Sequence, residues 1–130
     1  EEINVLILGL AFKGVPQTND IRGSNAIDLH NKIKDKVKKV SGFDVALNSK
    51  IKINKLNLIN DFDALRKIIS SSEAIFVMNN NPNNFPEDFL NFVKPRTFIS
   101  DPWCFFNHFN LVKSHKISYS TLGRIDLFNN

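Results

Sequence analysis

The sequence predicts a doubly wound α/β domain on a mainly parallel sheet of about five or six strands. Three observations lead there. Residues 3–8 (INVLIL) and 74–78 (AIFVM) are apolar on both faces, as buried parallel strands are and half-exposed antiparallel strands are not. Amphipathic helical stretches fall between the strand-like runs, so strand and helix alternate along the chain. The 130 residues, 42% of them hydrophobic and without an internal repeat, have the length of one domain, spanning 1–130, with one core.

The elements follow in order. Gly9 closes the first strand, and the polar stretch 13–23, punctuated by Gly14, Pro16 and Gly23, is a loop. Ser24 is a good N-cap for the helix that follows. There Ala26, Ile27, Leu29 or His30, Ile33 and Val37 recur at helical spacing, forming one apolar stripe with lysines opposite. Residues 40–43 form a second strand, broken by Gly42 and ended by Asp44. Ile51, Ile53, Leu56 and Leu58 alternate with Lys and Asn as a short strand whose alternation slips once. Asn60 or Asp61 caps a helix through Ser70, with Phe62, Leu65, Ile68 and Ile69 on its apolar face. After the 74–78 strand, residues 79–85 (NNNPNNF) form a loop, because Asn and Pro favour turns over ladders. Pro86 starts a short helix through Phe92. Residues 96–100 form a strand ending in Asp101-Pro102, a helix carrying Phe105, Phe109 and Val112 follows, and 116–119 is the last strand.

Seventeen Lys and Arg against thirteen Asp and Glu leave a formal charge of +4. Anionic partners are therefore favoured, but this is no nucleic-acid signature. Lys32, Lys34, Lys36, Lys38 and Lys39 cluster without Arg or aromatic residues among them, which reads as a solvated helix face. The longest apolar run, residues 5–12, falls far short of the roughly 20 residues needed to cross a bilayer. No secretion leader opens the sequence, so a cytoplasmic location is expected. Cys104 is the single cysteine, which excludes an internal disulfide and a multi-cysteine zinc site. Its neighbours Trp103, Phe105 and Phe106 favour a buried, unreactive thiol, and with Phe109 they read as core. His30, His108 and His115 share no ligand-like spacing and read as surface or cap residues, so no metal is expected.

In open parallel sheets, ligands bind outside the carboxyl ends of the strands, where the strand order reverses. That rule selects the loops after Leu8, Phe43, Met78 and Ser100. The first places Lys13 and Arg22 between a strand end and a helix N-terminus. Two cations beside free backbone N–H donors would make an anion site; a plain solvated loop is the alternative. Neither G-x-G-x-x-G nor G-x-x-x-x-G-K-[ST] follows the first strand.

The same loop resembles a known signature. Leu8-Gly9-Leu10-Ala11-Phe12-Lys13-Gly14 and Asn19-Asp20-Ile21-Arg22-Gly23-Ser24 are similar to the L-G-L-A-F-K … D-D-x-R-x-S motif of the UDP-glucose/GDP-mannose dehydrogenase family. That motif opens the family's C-terminal, UDP-sugar-binding domain. Ser41 to Asp44, residues 74–85 and residues 98–103 resemble later segments of that domain in the same order. The resemblance implies a Rossmann-like fold and one part of an NAD-dependent enzyme that oxidises the C6 alcohol of a nucleotide sugar to a carboxylate for polysaccharide biosynthesis. It also implies a homo-oligomeric parent whose dinucleotide-binding and central catalytic domains are missing from these residues, so no catalytic residue is expected here. By resemblance, Phe12 and Lys13 contact the UDP-sugar, Arg22 reaches NAD held on the first domain, and Asp20 orients Arg22. Trp103 and Cys104 stand where the UDP-glucose branch has an arginine for the nucleotide. Asn19, Gly23 and Gly14-Val15-Pro16 depart from the motif as well, which implies either a different sugar or a diverged domain. The alternative reading is a non-catalytic Rossmann-like module that docks on a partner protein.

Overall fold

A computed structural model describes residues 2–47, 51–106 and 114–128. Seven strands form one sheet: β1 (Asn4–Leu8), β2 (Lys39–Phe43), β3 (Leu56–Leu58), β4 (Ala74–Val77), β5 (Phe98–Ser100), β6 (Ser118–Thr121) and β7 (Arg124–Asp126). Their order is β3-β2-β1-β4-β5-β6-β7. Strands β1 to β6 run parallel, and β7 returns antiparallel beside β6. The predicted parallel sheet is present, with a seventh strand that the sequence reading did not include. A two-residue turn, Leu122-Gly123, creates it, with Gly123 at φ +78°.

Alternation along β1 explains the layers. Leu6 and Leu8 face a cluster with Phe43, Leu65, Ile69, Ile75, Phe89 and Tyr119. Val5 and Ile7 face the opposite cluster, with Ala26, Leu29, Ile33 and Val40. Successive side chains of a strand point to opposite faces, so one central strand feeds two cores. Helix α1 (Asn25–Ile33) therefore covers one face, while α2 (Phe62–Ser71) and α3 (Phe89–Phe92) cover the other.

Both longer helices begin where capping chemistry allows. Ser24 accepts from the N–H groups of Ala26 and Ile27, and Asp61 accepts from Ala64 at 2.7 Å. Helix α1 stops at Ile33 rather than continuing to Val37, because Lys36 N–H closes a turn onto the Ile33 carbonyl. His30, expected at the surface, is fully buried; its Nε2 donates to the Asn54 carbonyl at 2.8 Å and ties α1 to the segment before β3. Ile51 and Ile53 lie outside the ladder, and a turn at Asn54-Lys55, closed by Leu56 N–H on the Ile53 carbonyl with Lys55 at φ +63°, follows them, so only Leu56–Leu58 pairs.

Other boundaries differ too. Strand β4 ends at Val77, the helix after Pro86 begins only at Phe89, and β5 begins at Phe98 after Arg96 at φ +71°. Residues 102–106 form turns rather than a helix; Phe109, Val112 and His108 lie outside the described residues. The expected burial of Cys104 is not found. Cys104 is exposed at φ +55° and Trp103 beside it is exposed, because the Asp101 carboxylate accepts from the N–H groups of Trp103 and Phe105 and turns the chain outward. Phe105 and Phe106 stay partly buried, edge-on to Phe85.

Candidate functional site

The strand order reverses between β1 and β4, so the loops after these strands frame the position where such sheets take ligands. Gly9 follows β1 at φ +93°, and its N–H donates to the Phe43 carbonyl at 2.9 Å. A side chain at Gly9 would strike Asn79, its Cβ falling 2.5 Å from the Asn79 amide. The loop then closes on a buried polar network. Asp44 Oδ2 accepts from Leu10 N–H and Ala11 N–H, each at 2.9 Å, and from Asn79 Nδ2 at 3.0 Å. Its Oδ1 accepts from Ala46 N–H. Asn79 Nδ2 also lies within reach of the Ala11 carbonyl, and Asn79 Oδ1 accepts from Asn81 N–H and Asn84 Nδ2.

Further out, Asn80 Oδ1 accepts from Gly14 and Val15 N–H, and Asn81 Nδ2 donates to Gln17 Oε1. The two crossing loops are thereby joined directly, and a Cβ at Gly14 would collide with the Asn81 backbone nitrogen. Six of the backbone donors expected to be free are already used. Leu10 and Ala11 give theirs to Asp44, Gly14 and Val15 to Asn80, and Ala26 and Ile27 to Ser24. Sequence reading missed this because donor satisfaction depends on which side chains converge from β2 and β4. The signal was the run Asn79-Asn80-Asn81 after a buried strand.

Outside the network the loop displays charge and apolar surface. Phe12 is 45% exposed and Val15 is exposed beyond it. Lys13 is exposed with Nζ 5.3 Å from the Phe12 ring centroid, a cation–π arrangement. The Phe12 N–H donates to the Asp20 carbonyl, which brings the limb carrying Lys13 beside the limb carrying Arg22. Arg22 faces Asp20 through two parallel bonds, Nε to Oδ1 at 3.0 Å and Nη2 to Oδ2 at 2.8 Å. This guanidinium, together with Arg22 N–H, holds the Asp20 carboxyl down at about 2. The Arg22 side chain is 89% exposed even so, leaving its outer face open. An open, polar cleft of about 400 Å³ lies next to the loop, lined by Gln17, Thr18, Asn19 and Ala46.

The loop after β5 closes on a buried carboxylate of its own. Asp101, fully buried, accepts from Trp103 N–H, Phe105 N–H and the Tyr119 hydroxyl at 2.7 Å. Burial, followed by the adjacent Asp101 carboxylate, pushes the Tyr119 hydroxyl far above the usual phenol range. Among the described residues no cluster of three or more His, Cys, Asp or Glu is placed to hold a metal, and no helix is long and apolar enough to cross a membrane.

The fold is that of a Rossmann-like domain, with this loop at the carboxyl edge of its sheet after the first strand. A family model described as "UDP-glucose/GDP-mannose dehydrogenase family, UDP binding domain" matches residues 6–108, and the chain belongs to that family. A search of curated protein sequences found no match. Among solved structures, the chain is similar to a UDP-glucose dehydrogenase from Pyrobaculum islandicum, with 20% identity and a TM-score of 0.53 over 64% of this chain and 19% of that one. It is similar to a UDP-D-ManNAc dehydrogenase from Pyrococcus horikoshii, with 24% identity and a TM-score of 0.55 over 77% of this chain and 21% of that one. A D-isomer-specific 2-hydroxyacid dehydrogenase family protein from Klebsiella pneumoniae matches 98% of the chain at a TM-score of 0.65 and 12% identity, covering 38% of that protein. The chain thus spans about a fifth of the length of the two nucleotide-sugar dehydrogenases, and at these identities the likeness is one of fold.

Such folds hold a dinucleotide by giving the N–H groups after the first strand to the pyrophosphate. Here those of Leu10 and Ala11 belong to Asp44, and Asn79 fills the space above Gly9. The residues of this crevice do not fit NAD.

Proposed function

We propose that this chain is the nucleotide-sugar-binding part of an NAD-dependent nucleotide-sugar 6-dehydrogenase. In this reading the longer enzyme oxidises a sugar C6 alcohol to a carboxylate in the cytoplasm, for polysaccharide biosynthesis, and works as a homo-oligomer. Phe12 and Lys13 contact the UDP-sugar: the ring offers an apolar wall, and the ammonium offers charge and donors to the sugar or diphosphate. Arg22, oriented by Asp20, reaches NAD held by another part of the enzyme. The observation that carries the reading is the rim itself: a loop tied inward at its backbone donors displays an aromatic ring and two cations outward. Such a display suits a ligand completed from a second domain.

Calorimetric titration of the chain with UDP and UDP-sugars tests it. We expect binding that weakens with added salt, since exposed charges are screened over about 10 Å at 0.1 M ionic strength. Lys13→Ala should lose about tenfold in affinity, the loss expected when one charge-assisted bond is removed. A folded sample that takes no nucleotide would reject the proposal. The second reading, a protein-docking module, is favoured by the exposed Leu122, Ile125 and Leu127 at the β7 end of the sheet. It predicts that Leu122→Asp abolishes partner capture while nucleotide titrations stay silent.

A further inference from the structure

Asp44 ends β2, is 4% exposed, and forms no ion pair with a lysine or arginine among the described residues. A buried carboxylate without a cation is costly unless donors surround it. This one is held by the N–H groups of Leu10, Ala11 and Ala46 and by the Asn79 amide. Two of those donors are the backbone groups that directly follow Gly9, where folds of this kind receive a phosphate.

We propose that Asp44 is a built-in anion standing in for bound phosphate in the loop after β1, and that it positions Phe12 and Lys13 for their ligand. The ligand part of this inference rests on the function proposed above. Ala11 is fixed at both ends, its N–H by Asp44 and its carbonyl by Asn79, and Phe12 follows it at once with its own N–H on Asp20. The backbone entering the rim therefore has one arrangement. Two consequences follow. An incoming phosphate finds the inner donors taken and meets the protein only over the outer face. Loss of the Asp44 carboxylate would free the Leu10 and Ala11 donors, among others, and let Phe12 and Lys13 drift from that face. Asp44 is a positioning residue; it acts through the loop and touches no ligand.

Amide-resolved NMR on the 130-residue chain tests this with UDP, NAD and formate as probes. In the wild type, UDP should shift the Phe12 and Lys13 amides and leave those of Leu10 and Ala11 in place, and NAD should leave Gly9 to Ala11 unmoved. Either nucleotide moving Leu10 and Ala11 strongly would overturn the proposal, since it would be competing with Asp44. In Asp44→Ala, the Leu10 and Ala11 amides should lose exchange protection. Millimolar formate should restore that protection and return the Lys13 amide to its wild-type position, and its failure to do so would overturn the proposal. UDP affinity should fall about tenfold in the same variant and recover with formate. A lower melting midpoint with unchanged UDP affinity would reduce Asp44 to a purely structural role. If Asp44→Ala does not fold, Asp44→Asn serves, because it keeps an oxygen for Leu10 and Ala11 but sets an NH2 group against Ala46 N–H. Wild-type UDP affinity in that variant would also overturn the proposal. The formate arm needs no nucleotide. If UDP binds nowhere yet formate rescues the loop, the proposed function fails and the built-in anion stands.

Discussion

Arg22 is bound to Asp20 at both oxygens yet keeps most of its surface in water, a combination that orients a guanidinium without using it up. The pair has a pH signature. Because the folded carboxyl lies near 2, below its unfolded value near 4, the pairing is intact above the unfolded value and is lost only as pH falls through about 2. We expect the Asp20 carboxyl carbon, followed by NMR, to titrate near 2, and to move up toward the ordinary aspartate range in Arg22→Ala. In a full-length enzyme, Arg22→Ala should raise the NAD requirement more than that for the sugar, as read by separate KM values; equal losses would point to a damaged loop. Tyr119 offers a stability test at the same scale. Tyr119→Phe leaves the buried Asp101 carboxylate with one donor fewer, and should lower unfolding free energy by about 1–3 kcal/mol in urea titrations.

At the scale of elements, the caps and the packed loops decide how firmly the rim is held. Ser24 does two things at once: its oxygen accepts from the start of α1, and its hydroxyl donates to the buried Leu10 carbonyl at 2.7 Å. Asp61 caps α2 alone. Asp61→Ala should cost about 0.5–2 kcal/mol of stability and leave UDP affinity untouched. Gly14→Ala should cost about 1–3 kcal/mol, because the added methyl meets Asn81 backbone and the two loops must separate. Calorimetric melting checks both. Elements whose signal lies in their own residues were legible: the apolar runs of β1 and β4, the Ser24 cap, and the amphipathic stripe of α2. Those set by tertiary contacts were not. His30 is inside because the chain before β3 supplies a carbonyl for its ring, and Cys104 is outside because Asp101 turns its neighbours away. β7 exists through a turn and a partner strand; three residues carry too little pattern to announce it.

For the molecule as a whole, the position of the rim was legible from the alternation of strand and helix alone, since the loop after a central parallel strand must lie at the carboxyl edge. The state of its backbone was not. The donors that looked available along the chain are claimed by side chains 34 and 66 residues away from Leu10 and Gly14. The same sheet also fixes where residues 4 and 128 lie. β1 starts at the amino edge, and β7, running back against β6, delivers Phe128 to the same edge, where its N–H meets Ser118 at the start of β6. A dye, bead or sensor surface tethered near residue 2 or residue 128 would therefore sit across the sheet from Phe12 and Lys13, leaving that loop unshadowed for ligand measurements.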